Sequence, residues 1–80
     1  MIRITELARR TGASVDEIRY IERKGAITSQ RTKIKQRRVR QFPDGDEMKV
    51  KLIIKYRRSG YTWSAAVEKG LQELHKPSLL

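Results

Sequence analysis

The chain has no cysteine, one histidine and two prolines in 80 residues. Without thiols there can be no disulfide staple, no thiolate metal site and no thiol-based redox switch, and a lone histidine cannot build a metal cluster by itself. Long apolar runs are missing too. Leu52–Ile54 is typical of what there is, far short of a membrane span, and Met1–Arg10 lacks the apolar stretch of a secretion signal. No low-complexity tract, internal repeat or Gly/Ser linker interrupts the chain, so one small domain is expected, with a modest core and no separate effector pocket. The ingredients of catalysis are also absent: His75 stands near the C-terminus, the carboxylates are scattered at capping positions, and no glycine loop or metal-ligand spacing occurs. The expectation is a cytoplasmic, nucleoid-associated protein that works by binding, with no enzyme activity, cofactor, metal or membrane.

The most informative scarcity is local: between Arg23 and Pro43 there is no Asp or Glu. From Ile18 to Pro43 nine Lys or Arg stand against one acid, Glu22, so +8 of the net +10 is concentrated there, six of those cations within Arg31–Arg40. Docking concentrated cations on a nucleic acid releases its condensed counterions, so this charge points to DNA or RNA. A generally basic soluble protein, or a binder of acidic proteins, is the plainer alternative.

Local rules divide the chain into elements. Thr5 is expected to cap a first short helix that turns Ile4, Leu7 and Ala8 inward and stops at Gly12. Ser14-x-x-Glu17 has capping-box spacing and opens a second helix to Lys24, ended by Gly25. So tight a connection makes the two helices cross steeply, as in helix–turn–helix units. On the second helix Val15, Ile18 and Ile21 share one apolar arc, while Tyr20 falls on the far side beside Asp16, Arg23 and Lys24.

After Ala26 the helical period fades. Arg31–Lys35 and Arg38–Phe42 are expected to pair as a hairpin around Gln36–Arg37, forming a basic wing. Asp44 then caps a third helix with Met48, Leu52, Ile53 and Tyr56 inward, ending at Ser59 and Gly60. Thr62 caps a fourth, with Trp63, Ala66, Val67, Leu71 and Leu74 assigned to the core, His75 and Lys76 in the last turn, and Pro77 as its stop. The expected fold is mainly α: a winged helix–turn–helix with a small two-stranded wing and a second helix pair. The domain is expected to cover residues 1–76 (helix–turn–helix 5–24, wing 31–42, helix pair 44–76), with a tail at 77–80.

Ile4–Gly12, then Ser14–Val15, Ile18–Tyr20, Glu22 and Lys24–Gly25, resemble the N-terminal DNA-binding domain of mercury-resistance-type (MerR) transcription regulators. Further along, Arg40–Phe42 resembles the Arg-x-Tyr that closes that family's wing, Asp46 its helix-opening acid, and Ile53 with Gly60–Thr62 its second helical pair. The likeness spans about residues 2–75, and several motifs in register are more specific than any one. It implies that Arg19, Tyr20 and Arg40 contact the DNA backbone or lie beside it. Some positions depart from the pattern. Asp16 and Glu17 stand where basic or hydroxyl residues are usual, Ile21 where a second aromatic is usual, Arg38 in place of a wing glycine, and Pro43 in place of a small polar cap. Full-length relatives continue into a dimerisation helix and an effector domain, whereas only His75–Leu80 follows here: the chain is either an excised domain or a naturally minimal protein, which would then resemble the short, effector-free members.

The candidate DNA-facing residues are therefore Ser14, Asp16, Arg19, Tyr20, Arg23 and Lys24 on the recognition helix, and Arg31, Lys33, Lys35, Arg37, Arg38 and Arg40 in the wing. The expected activity is sequence-specific binding of double-stranded DNA in transcription regulation, with the helix in the major groove and the wing on phosphates. Two alternatives use the same fold: a protein-interaction adaptor docking an acidic or transcription-machinery partner, and an excisionase-like architectural DNA binder. Protomers without a dimerisation helix would meet through the folded domain, as a homo-oligomer or a cooperative assembly on DNA.

Overall fold

Ser14 and Glu17 close a reciprocal cap: the Glu17 amide donates to Ser14 Oγ at 3.0 Å, and the Ser14 amide donates to Glu17 Oε1 at 2.8 Å. The helix it opens is Val15–Arg23, in a computed structural model that describes residues 1–75. In chain order the elements are β1 (Ile2–Arg3), α1 (Ile4–Thr11), α2 (Val15–Arg23), β2 (Gln30–Ile34), β3 (Arg37–Phe42), α3 (Asp46–Arg58) and α4 (Trp63–His75). The winged helix–turn–helix and the second helix pair are both present. The sheet is three-stranded, in the order β1-β3-β2, and not a two-stranded ribbon.

Gly12, at φ +79°, ends α1 and donates its amide to the Ala8 carbonyl at 2.9 Å. That left-handed step is cheap only without a β-carbon, and it lets α2 set off at once in a new direction. Thr5 does not cap α1. The cap position is Arg3, with no side-chain bond, because the chain enters the helix straight from β1 and an exposed Thr5 already lies inside its first turn. β1 escapes sequence reading because a two-residue strand has no period to detect. It exists because Ile2 pairs with Phe42 and both side chains are buried.

The core gathers Leu7, Ile18, Ile21, Ile27, Phe42, Val50 and Ile53, none more than 2% exposed. Removing side chains of this size from water contributes about 1.5–3 kcal/mol each, which holds α1, α2, β3 and α3 to one centre. The hairpin turn lies one residue earlier than expected: Ile34 pairs with Arg37, and Lys35 (φ +47°) and Gln36 (φ +65°) make the turn. Two consecutive left-handed residues match a type I′ turn, which ordinarily recruits Asn or Gly.

Asp44 likewise does not cap α3. Its exposed carboxylate accepts from the Met1 ammonium at 3.0 Å, and the helix starts at Asp46, whose amide reaches the Pro43 carbonyl at 3.0 Å. The inward stripe of α3 is Val50, Ile53 and Ile54: Ile53 lies in the core as expected and Tyr56 packs half-buried against it, whereas Leu52 is only half-buried and Met48 faces out. Apolar residues at 48, 50 and 52–54 fit two helical phases, and the chosen one leaves Met48 51% exposed. Thr62 does cap α4, accepting from the Ala65 amide at 3.2 Å. Ala66 and Gly70 are its buried positions, with Val67, Leu71 and Leu74 half-buried. Lys76, Pro77 and the tail at 77–80 lie outside the described residues.

Candidate nucleic-acid interface

Strand register decides which way the wing's charges point. Residues directly opposite each other in an antiparallel pair share a face. Arg31 is opposite Arg40, and Lys33 is opposite Arg38, so four cations stand on one face as two like-charged cross-strand pairs. That face also carries Phe42, which is buried: the strand runs out of the core into solvent, so its inner end is apolar and its outer end cationic. Lack of a clean alternation along Arg38–Phe42 follows from this exit and is not a failure of strand structure.

One acid ties this ribbon to α2. Glu22 of α2 accepts from the Ser29 amide at 3.2 Å and from the Ser29 hydroxyl, and it pairs with Arg40 Nη1 at 3.5 Å. The sole carboxylate in the basic region thus fixes the loop before β2 and orients Arg40 toward α2. Helix and wing consequently flank common ground. Arg19 of α2 and Arg37, Arg38 and Arg40 of β3 line an open cleft of about 620 Å³, joined by Arg3 and Lys35. A smaller depression beside it is lined by Arg19, Glu22, Arg23 and Arg40.

Tyr20 is half-buried. Its ring lies 4.8 Å from that of Trp63, tilted by 38°, and Lys24 Nζ and Arg23 Cζ sit 5.2 and 5.9 Å from its centroid. Arg57 Cζ lies 5.2 Å from the Trp63 ring on its own side. Such contacts join apolar burial to cation–π attraction. Trp63 is half-buried and packs against the edge of the core, where it also braces the C-terminal part of α2 against the start of α4.

The remaining candidates occupy distinct positions. Ser14 is exposed but its hydroxyl is engaged in the cap. Asp16 has a side chain 94% exposed, within 3.8 Å of Arg19. Glu17 is held by the cap and by Arg58 Nη2 at 3.2 Å, which also donates to the Gly12 carbonyl at 3.1 Å and so staples α3 to the helix–turn–helix turn. Arg31 and Lys33 share the face of Arg38 and Arg40 but do not line the cleft. Arg3 was missed in the sequence, since nothing in its neighbourhood signals that β1 would carry it beside the wing.

Charge pairing is sparse in the candidate interface, where Arg19 and Arg40 have carboxylates within 4.0 Å. Six cations of α1 and α3, namely Arg9, Arg10, Lys49, Lys51, Lys55 and Arg58, have carboxylates within 4.0 Å. Among the described residues, every Lys or Arg from Arg23 to Arg38 has none. No helix of the described residues is long and apolar enough to cross a membrane.

The model of one protein family, described as MerR HTH family regulatory protein, matches residues 2–71. No curated protein matches the chain.

Proposed function

Because the chain belongs to the MerR helix–turn–helix family of regulatory proteins, we propose that it binds double-stranded DNA sequence-specifically to regulate transcription, α2 entering the major groove and the wing gripping adjacent phosphates. The observation that carries this reading is the pair of like-charged cross-strand contacts, Arg31 with Arg40 and Lys33 with Arg38. Like charges directly opposite destabilise a sheet. A solvated edge needs some Lys to discourage strand pairing, but not four cations on one face with a single acid, Glu22, reaching one of them. A polyanion laid across that face supplies the missing counter-charge.

Roles follow from exposure and pairing. Arg31, Lys33, Lys35, Arg37 and Arg38 serve phosphates and carry no base information. Arg19 and Arg40 stand on either side of the cleft, where one strand's backbone would pass. Tyr20, held against Trp63, supports the placement of Arg23 and Lys24. Asp16, projecting from the first turn of α2, can accept from the amino group of cytosine in the major groove, and Arg23 is suited to a guanine edge. The mechanism is binding and not chemistry.

Selection of bound duplexes from a random pool tests this reading. An enriched sequence is expected. Arg23→Ala is expected to relax preference at one position, and Arg38→Ala to weaken all sites evenly. A pool that emerges unenriched would remove sequence specificity from the proposal.

A further inference from the structure

The cleft between the wing and the start of α1 has a feature that phosphates do not use. Its walls are cationic, but Ile4, Ile34 and Val39, all half-buried, supply apolar surface within it. We infer that this cleft is also a docking groove for an extended segment of a protein partner in which acidic and aliphatic residues alternate.

The backbone of β3 provides the template. β1 pairs only Ile2 with Phe42 and Arg3 with Gln41 before the chain turns into α1. Among the described residues, no strand lies beside β3 on that side from Arg37 to Val39. Because Lys35 and Gln36 form a two-residue turn, Ile34 and Arg37 exchange backbone bonds, and alternation then directs the amide and carbonyl of Arg38 to the uncovered flank. An extended segment laid there continues the line of β1 and adds a strand by main-chain bonding.

Register fixes the partner's pattern. On β3, Arg38 and Arg40 share one face, while Val39 shares the other with Ile34, its diagonal neighbour on β2. Successive side chains of the added strand meet these faces in turn. An acid opposite Arg38 pairs with it, and aliphatic residues on either side of that acid cover Val39 and Ile34. A second copy of this chain does not suit the groove, since pairing two β3 flanks would oppose arginine to arginine.

Arg38 is a cation that the DNA reading assigns to phosphates and it lines the same cleft, so the two ligands would exclude each other, and an acidic partner would release the domain from DNA. This exclusion rests on the DNA reading; the groove itself does not.

Fluorescence anisotropy on the full chain tests the groove, with a short labelled peptide of alternating glutamate and valine and a polyglutamate peptide of equal charge. The alternating peptide is expected to bind about tenfold tighter, and Ile34→Ser with Val39→Ser to abolish that difference while changing duplex affinity by less than about twofold. Equal affinity for both peptides would overturn the inference. In the unaltered protein, NMR during the same titration is expected to show the Arg38 amide protected from exchange. Binding of the alternating peptide without protection at Arg38 would overturn it as well. Loss of duplex binding with peptide binding intact would sink the DNA reading and leave the groove standing.

Discussion

Gly70 of α4 faces Ile53 of α3 so closely that a β-carbon built on it would stand 2.8 Å from Ile53 Cγ1 and 2.9 Å from the Ile53 backbone nitrogen. The second helix pair packs backbone against side chain at this point. Gly70→Ala should therefore lower stability by about 1–3 kcal/mol, although alanine is the better helix former by about 1 kcal/mol. A denaturant or thermal melt checks this, and a rise in midpoint would mean that the two helices are not packed this closely.

The wing turn should respond in the opposite sense. Gln36, at φ +65°, occupies a conformation that costs a residue with a β-carbon about 1–2 kcal/mol and costs glycine little. Gln36→Gly is expected to stabilise the protein by about 0.5–1 kcal/mol, and Gln36→Val to destabilise it by at least as much. Thermal melts of both variants read the difference.

Asp46 gives a pH dependence with a definite sign. Burial raises its carboxyl above the ordinary value of 3.8, against a smaller opposing pull from Lys49, and its Oδ2 has no hydrogen-bond partner among the described residues. A group whose folded value is raised is most favourable to the fold when protonated in both states, below its unfolded value. Its contribution is lost as pH rises through the folded value, because the fold must then hold a desolvated charge. Asp46→Asn removes that penalty. Chemical denaturation at several pH values should show the variant gaining stability relative to the parent as pH rises from about 3 to about 7. A difference that does not change across that range would mean that the carboxyl is not perturbed.

Much of this architecture was legible because single residues report local rules. Ser14 and Glu17 announce the cap of α2, Gly12 its tight entry, and Thr62 the start of α4. The unbalanced cations from Arg31 to Arg40 announce an anionic partner before any contact is known. Other features depend on neighbours distant in sequence. β1 is visible only through Phe42, and the exposed Asp44 is claimed by Met1 and not by a helix. The turn at Lys35–Gln36 uses none of the residues that mark type I′ turns, so the sequence pattern places it one position late. Trp63, large and apolar, reads as core and does pack against it half-buried, but its ring contact with Tyr20 comes only from the fold. For the site the same division holds. The cationic character of α2 and the wing could be read along the chain, whereas the Glu22–Arg40 link and the arrival of Arg3 beside the wing come only from packing.

The central claim is that α2 and the wing grip a duplex jointly through cations most of which have no carboxylate partner among the described residues. The salt dependence of duplex affinity tests it most directly, compared between the native chain and a variant combining Arg31→Ala, Lys33→Ala and Arg38→Ala. With about four to seven phosphates neutralised, the native log–log slope should be about −3.5 to −6, and losing three of those contacts should make it shallower by about 2.7. A native affinity that barely changes with salt, or a variant slope equal to the native one, would contradict the claim.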